Sequence, residues 1–176
     1  MDPFERFHRR SLGDVLVSQG LVTREKVDEL QAAAKAAGDP LGALVLESGA
    51  LTPWDLAETI AAQYQMPVHP LGGYRFEREL FEGLRADLLH RHQVMPLARF
   101  GAVRTFAVLE PPSKELIADL QATCGPSLFF FVAEGSEIRR CLNEHVKVVD
   151  AAKDGAWQQI FDVAEQEVLK GLGKKA

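Results

Sequence analysis

The chain has 176 residues, 47% of them hydrophobic, and a formal net charge of −5. A general binder of nucleic acid or of anionic membranes needs a basic surface to displace counterions, so this charge argues against both classes. The length suffices for one domain or two small ones. Two cysteines are too few for a disulfide framework, the start lacks a charged-then-apolar leader, and the longest apolar run is only strand-sized. We therefore expect a cytoplasmic protein that does not insert into a membrane.

A phrase of twelve residues occurs twice near the N-terminus. LGDVLVSQGLVT starts at Leu12 and LGALVLESGALT starts at Leu41, and the copies align without a gap over residues 12–34 and 41–63. Identical or similar apolar residues occupy most equivalent positions. Such self-similarity indicates a duplicated structural unit.

Each copy begins with the signals of a short helix. Ser11 and Asp39 are candidate N-caps that precede a short apolar segment. Gly20 and Gly49 follow these segments at the point where a helix often ends on a left-handed residue. We therefore expect one short helix in each copy, ending at its glycine.

A longer helix follows in each copy. Thr23 and Thr52 stand at N-cap positions, and Pro53 and Asp55 suit the first turn of the second long helix. Each copy is therefore predicted to form a helical hairpin. Two tandem hairpins would pack their apolar faces into a four-helix unit, which we assign to residues 1–66.

A second unit, assigned to residues 67–147, follows a connector that contains Pro and Gly. Apolar spacing and turn residues predict the order helix, strand, strand, helix, strand, helix. The predicted elements are a helix over 75–92 with a break near Gly83, strands over 94–98 and 105–109, a helix from Ser113 to Thr123, a strand over 128–132 that is buried on both faces or against a partner, and a helix that starts at Ser136. The fold class is α+β, with a small, mostly antiparallel three-stranded sheet covered by helices.

The tail, residues 148–176, is predicted to be a linker followed by a C-terminal amphipathic helix from about Asp154. We expect its apolar stripe to pack on the body, on a second copy of the chain as a homodimer, or on another partner chain, rather than in a membrane. The candidate partner-binding residues are Trp157, Ile160, Phe161, Ala164 and Val168.

No catalytic or metal-binding set is predicted. Two histidines and two cysteines (His90, His92, Cys124 and Cys141) have a spacing that fits no common zinc motif. No serine stands in a G-x-S-x-G setting. The N-terminal arm, residues 4–10, mixes aromatic and cationic side chains, so it can either dock to a partner or pack across the helical unit.

The doubled Leu-Gly phrase, the segment Val94-Met95-Pro96-Leu97 and the pair Glu110-Pro111 resemble the N-terminal domain of type II secretion and type IV pilus assembly ATPases over about residues 10–147. The resemblance implies a domain that precedes a hexameric motor, docks it to inner-membrane platform proteins and, in one branch, binds cyclic di-GMP. The sequence contains no G-x-x-x-x-G-K-[ST] phosphate loop, so no ATP hydrolysis by that route is expected.

We therefore expect a free-standing, non-catalytic adaptor or regulator that binds a secretion or pilus ATPase, a platform protein or a regulatory protein. Such a protein would work in the cytoplasm and could be recruited to the inner-membrane face by that partner. It needs no cofactor and no metal.

The cyclic di-GMP branch implies an alternative function. In that branch an Arg precedes each Leu-Gly pair and a Gln closes each longer helix, because guanidinium groups can pair with phosphate and stack on guanine. Here Ser11 and Pro40 precede the two pairs, and Ala34 replaces the Gln of the first copy. The residues that the resemblance implies for the ligand are Arg9, Arg10, Leu12, Leu16, Leu41, Val45, Gln63 and Glu110. A purely structural interpretation of the same residues is that the leucines belong to the hydrophobic core and that Gln63 is a solvated residue at the end of a helix.

Overall fold

The repeated segment folds into two consecutive helical hairpins. The computed structural model of the protein describes residues 3–147. The helices of the hairpins are α1 (Leu12–Ser18), α2 (Arg24–Ala37), α3 (Leu41–Glu47) and α4 (Pro53–Tyr64). The four helices predicted from the repeat are thus confirmed. The predicted C-terminal helix, with its candidate partner-binding side chains from Trp157 to Val168, lies outside the described residues.

Helix caps explain why these helices begin and end where they do. The hydroxyl oxygens of Ser11, Thr23 and Thr52 each accept a hydrogen bond from the backbone amide three residues later, at 3.1, 3.3 and 3.2 Å. Gly20 and Gly49 have φ angles of 69° and 71°, in the left-handed region that favours glycine. These five predicted positions are confirmed.

The predicted cap of α3 at Asp39 is wrong. The amides of Gly38 and Asp39 both donate to the carbonyl oxygen of Ala34, at 2.8 and 3.0 Å, so Asp39 belongs to the end of α2. The residue at the N-cap of α3 is Pro40, which offers no side-chain acceptor. The first turn of α3 therefore needs an acceptor from elsewhere in the fold.

The glycine of each Leu-Gly pair lies where the two helices of its hairpin meet. A methyl group on Gly13 would lie 2.7 Å from Cγ1 of Val27, whereas one on Gly42 would lie 3.3 Å from Oε2 of Glu110 and at an ordinary contact distance of 3.4 Å from Cδ2 of Leu56. Val27 and Leu56 are equivalent residues of the two copies, 29 positions apart. Both glycines therefore face the second helix of their hairpin, but only at Gly13 is the approach too close for a larger residue.

The second part of the chain builds a three-stranded sheet with helices packed on it. Its elements are α5 (Ala86–Arg91), β1 (Val94–Phe100), β2 (Val103–Val108), α6 (Lys114–Cys124), β3 (Leu128–Val132) and α7 (Gly135–His145). The oxygen of Ser113 accepts from the amide of Leu116 at 3.1 Å, as expected for the start of α6.

The sheet has the strand order β1-β2-β3 and is mixed. β1 and β2 are antiparallel, whereas β2 and β3 are parallel. The α+β class is confirmed, but a mostly antiparallel sheet was expected. The difference arises because α6 lies between β2 and β3 in the sequence and provides the crossover that a parallel connection needs.

The helix predicted over 75–92 forms only in part. Arg78–Phe81 is a single 3₁₀ turn, and α5 contains only six residues. Gly83, with a φ angle of 77°, separates the two segments. The break near Gly83 is confirmed, whereas a regular α-helix before it is wrong.

Of the two alternatives for β3, burial on both faces is wrong, and burial against a partner stays a prediction. Leu128, Phe130 and Val132 are buried, but the side chain of Phe129 is 40% exposed. Successive side chains of a strand point to opposite faces, and only one face of β3 is fully covered. The inference of burial on both faces from an uninterrupted apolar run therefore overestimated the buried fraction of this edge strand.

The N-terminal arm packs on the body of the protein. Phe4 and Phe7 are buried, and their rings meet the ring of Phe130 edge-on with both centroid distances at 6.0 Å. The imidazole Nε2 of His8 lies 3.1 Å from the carbonyl oxygen of Pro112. Of the two alternatives for the arm, the structure shows packing, and the contact is with the sheet as well as with the helices.

One hydrophobic core runs through the repeat and the sheet. Its largest fully buried side chains come from both parts of the chain. They include Leu16, Leu56, Ile60, Tyr64, Met95, Phe106 and Phe130.

Candidate functional site

The candidate site begins with a cleft between the N-terminal arm and the end of α4. We call it the arginine cleft. It has a volume of about 240 Å³, and its lining residues are Arg6, Arg9, Arg10, Gln63, Tyr64 and Gln65. Three guanidinium groups beside an amide side chain are a suitable donor set for an anion.

The three arginines differ in how firmly the protein holds them. Arg10 donates from Nη2 to the hydroxyl of Ser18 at 2.7 Å, and Arg9 Nε lies 3.7 Å from a carboxylate oxygen of Glu5. Both arginines are exposed, so these contacts contribute little to stability. The Arg6 guanidinium stacks on the ring of Phe7, 4.6 Å from its centroid. Arg9 and Arg10 are therefore free to exchange their present partners for a ligand.

Tyr64 fixes the floor of the arginine cleft. Its hydroxyl donates to the backbone carbonyl oxygen of Arg10 at 3.0 Å, which ties the arm to the end of α4. Burial raises the pKa of Tyr64 to about 12, and the nearby Glu110 carboxylate adds to this effect against the opposing Arg10 charge. The phenol is therefore a neutral donor at physiological pH.

A second cleft is also lined by Tyr64. We call it the leucine cleft. It has a volume of about 230 Å³, and Leu12, Leu41, Tyr64 and Glu110 are among its lining residues. Leu12 is nearly buried, and Leu41 is only partly exposed. The apolar surface available to a ligand here is therefore small.

Glu110 provides the acceptor that α3 lacks. Its Oε2 accepts a hydrogen bond from the amide of Gly42 at 2.7 Å, although the two residues are 68 positions apart. Such a carboxylate complements the partial positive charge of a helix start. Burial of the enclosed carboxyl group raises the pKa of Glu110 to about 7, and the Gly42 bond offsets only part of that rise. Glu110 is therefore engaged in holding the fold together, whatever else it binds.

The structure brings some of the sequence-predicted site residues together and separates others. Arg9, Arg10 and Gln63 share the arginine cleft, and Leu12, Leu41 and Glu110 share the leucine cleft. Two further residues of the predicted ligand set do not line either cleft.

Leu16 and Val45 have no exposed surface. In this conformation neither side chain can touch a ligand, so the expectation that they line the site is corrected. Both point into the core because they lie on the inner faces of their short helices, as an apolar residue of an amphipathic helix should.

Three lining residues of the arginine cleft, Arg6, Tyr64 and Gln65, were missed by the sequence analysis. Tyr64 follows Gln63 directly, and a buried tyrosine needs a partner for its hydroxyl, which was an available signal. Arg6 lies in the arm whose path could not be predicted, because the aromatic contacts that place it involve β3, more than a hundred residues later.

No metal centre or membrane span accompanies these clefts in residues 3–147. In this range, no group of three or more His, Cys, Asp or Glu side chains is placed to hold a metal ion. Nor does any helix of the same range have the length and apolar character needed to cross a bilayer.

Comparison with known proteins identifies the fold and the family. The family model described as the MshEN domain matches residues 64–152, a little over half of the chain. The chain belongs to the MshEN domain family. The matched region starts at the end of α4, so the MshEN match rests on the α+β part of the chain, and the doubled Leu-Gly phrase precedes it.

Solved structures share the fold of this MshEN protein over both parts of the chain. MshE solved with cyclic di-GMP is 22% identical, with a TM-score of 0.58, and the match covers 78% of this chain and 99% of that one. Two crystal forms of the N-terminal domain of XpsE are 19% and 21% identical, with TM-scores of 0.53 and 0.59. They cover 77% of this chain and 97% and 96% of theirs. At these identities the likeness establishes the fold.

A sequence similar to this chain also occurs as part of a pilus assembly ATPase. The type IV pilus assembly ATPase PilB of Myxococcus xanthus (strain DK1622) is 22% identical over 134 residues, which is 76% of this chain. The chain spans only 24% of that ATPase. The sequence relation to pilus and secretion ATPases is thus confirmed, and it concerns a domain of such proteins rather than a whole motor.

Proposed function

We propose that this protein is a non-catalytic interaction module that acts as an adaptor or regulator of a type IV pilus or type II secretion machine. The observation that carries the proposal is the MshEN match together with the likeness to a pilus assembly ATPase. The sequence has no phosphate loop of the G-x-x-x-x-G-K-[ST] type, so the proposed action is binding rather than ATP hydrolysis. The partner is an assembly ATPase or a platform protein, met at the cytoplasmic face of the inner membrane.

Co-expression tests this proposal at the level of complex formation. A tagged full chain should co-purify with an assembly ATPase or with the cytoplasmic part of a platform protein when both are produced in one cell. A matched control is an unrelated tagged acidic protein of similar size, which should retain neither. Failure to retain either component would count against the proposal.

A second candidate function is binding of cyclic di-GMP. It is favoured by the meeting of Arg9, Arg10 and Gln63 in one cleft and by the likeness to MshE, which was solved with this dinucleotide. In this proposal the two arginines meet the phosphates, and Gln63 meets a polar edge of a guanine. Pro40 has no amide hydrogen and no charge, so the second Leu-Gly pair would add apolar contact only.

Calorimetric titration of the full chain with cyclic di-GMP decides this second proposal. We expect saturable heat that Arg9→Ala and Arg10→Ala each weaken at least about tenfold, because a hydrogen bond to a charged group contributes about 1.5–3 kcal/mol. Arg139→Ala is the matched control, since Arg139 is exposed on α7 and does not line the cleft. The absence of heat at high micromolar ligand, or equal effects of all three variants, would refute it.

A further inference from the structure

An exposed tryptophan marks a third concave surface, away from the two clefts of the candidate site. The side chain of Trp54 is 62% exposed in the first turn of α4. The equivalent residue of the first copy is Glu25, which is also exposed. The hairpin fold therefore needs no indole at this position. Exposed tryptophan is costly in water and is enriched among residues that dominate protein interfaces.

Trp54 forms one wall of a groove of about 170 Å³, which we call the tryptophan groove. Ala57 lies beside it on α4, and Val68 and His69 form the opposite wall. The His69 ring meets the rings of Tyr74 and Phe131 edge-on, with both centroid distances at 5.3 Å. These contacts hold the opposite wall in place, so the groove is formed before any partner arrives.

The opposite wall is also an open edge of the sheet. His69 donates its amide to the carbonyl oxygen of Val132 at 2.8 Å, and Val132 donates to Pro67 at 2.9 Å. This parallel bridge turns the amide and carbonyl groups of Val68 away from β3. Within residues 3–147, neither group makes a hydrogen bond. An extended peptide could therefore add to this edge as a further strand.

The end of the groove is acidic. Glu134 and Glu137 line it together with the apolar walls. Glu137 accepts from the amide of Leu71 at 2.9 Å and Glu134 accepts from the hydroxyl of Ser136 at 2.6 Å, but neither carboxylate has an ion-pair partner in the described part of the chain. Two negative charges beside an apolar channel favour a partner that carries a cation next to an apolar residue.

We propose that the tryptophan groove binds a short extended segment of a partner protein in which an apolar and a basic residue stand two positions apart, so that both side chains point to the same face of the segment. An apolar side chain packs between Trp54 and Val68, a Lys or Arg side chain meets Glu134 and Glu137, and the peptide backbone pairs with Val68. This inference rests on the proposed function, because it takes the chain to be a protein-interaction module.

Fluorescence anisotropy with a labelled Ser-Val-Ser-Lys-Ser peptide and the full chain tests the groove. We expect saturable binding that Trp54→Glu, the residue of the first copy, abolishes. We expect Glu134→Gln to weaken binding several-fold and a Ser-Val-Ser-Glu-Ser peptide to bind at least about tenfold more weakly. Glu115→Gln is the matched control, since Glu115 is exposed on α6 and does not line the groove.

Three results would overturn the inference. They are no binding of the basic peptide at millimolar concentration, unchanged binding to the Trp54→Glu variant, and equal binding of the two peptides. A dimer of the full chain that Trp54→Glu dissociates in sedimentation would assign the groove to a second copy and would also overturn it.

The peptide titration and the co-purification experiment together separate this inference from the proposed function. If the peptide binds as expected but the chain binds no pilus or secretion component, the inference about the groove is supported and the proposed function is refuted. If a component binds but the peptide does not, the groove inference fails and the proposed function stands.

Discussion

Replacing Gly13 by alanine should lower the free energy of unfolding by about 1–3 kcal/mol, although alanine is the better helix former. The new methyl group would lie 2.7 Å from Cγ1 of Val27, which is fully buried and β-branched and therefore has little freedom to move. Chemical denaturation of the full chain measures the effect. Asp28→Ala on the exposed face of α2 is the control and should change stability only slightly.

A double-mutant cycle shows whether the Val27 contact is the cause. Val27→Ala removes the methyl group that Gly13→Ala would strike, so the double variant should lose less stability than the sum of the two single losses. The expected coupling is about 1 kcal/mol or more. Strict additivity, or a Gly13→Ala protein as stable as the parent, would contradict the packing role of Gly13.

Replacing Glu110 by glutamine should stabilise the protein at alkaline pH and have a smaller effect at acidic pH. Glutamine keeps a carbonyl oxygen for the amide of Gly42 but carries no charge to bury. The pKa of Glu110 is about 7 in the folded protein and near its ordinary 4.5 in the unfolded chain. The folded state therefore binds the proton more tightly, and the parent loses stability as pH rises from about 4.5 to about 7.

The size of the Glu110 effect follows from the same two pKa values. The separation of the two pKa values corresponds to a stability difference of at most about 3 kcal/mol. The observed difference should be smaller, because Glu110 keeps some contact with solvent. Thermal or chemical unfolding of parent and variant between pH 5 and about 8.5 measures the difference. Burial also lowers the pKa of His92. Because His92 is present in both proteins, its contribution to the pH dependence cancels in their stability difference.

The matched control for the pH series is Glu58→Gln, which changes an exposed carboxylate on α4. Its stability difference from the parent should vary little with pH. The expectation would be contradicted if the stability difference between Glu110→Gln and the parent varied equally little with pH, or if the variant were less stable than the parent at pH 8.5. Either result would show that burial of the Glu110 carboxylate does not destabilise the folded protein.

Local signals predicted the local structure of this chain well. The caps at Ser11, Thr23 and Thr52 and the left-handed glycines depend on neighbours within four residues, and all are found as expected. The duplication added a second, independent instance of each signal. This is why the two hairpins could be predicted from the sequence with their ends almost in place.

Features that depend on distant residues could not be predicted in the same way. Asp39 is a residue type that often caps a helix, but the side-chain acceptor at the start of α3 is Glu110, 68 positions away from Gly42. The arm is held by Phe130, far along the chain, and the parallel pairing of β3 depends on the α6 crossover. Local sequence patterns carry no direct record of such contacts.

The candidate site shows the same division. Arg9, Arg10 and Gln63 were predicted as a set and do share a cleft, because the end of α4 meets the arm there. Leu16 and Val45 were included by analogy with a binding motif, yet the amphipathic pattern of their helices already favoured the core. Trp54 could have been noticed from the repeat alone, since it replaces a charged residue of the first copy.

An equilibrium titration between the purified full chain and purified components of a pilus or secretion machine tests the central claim most directly. The chain would be immobilised for biolayer interferometry and exposed in turn to an assembly ATPase and to the cytoplasmic part of its platform protein. We expect saturable binding to one of them, with a Kd at or below about 100 μM. The absence of saturable binding to both components would contradict it.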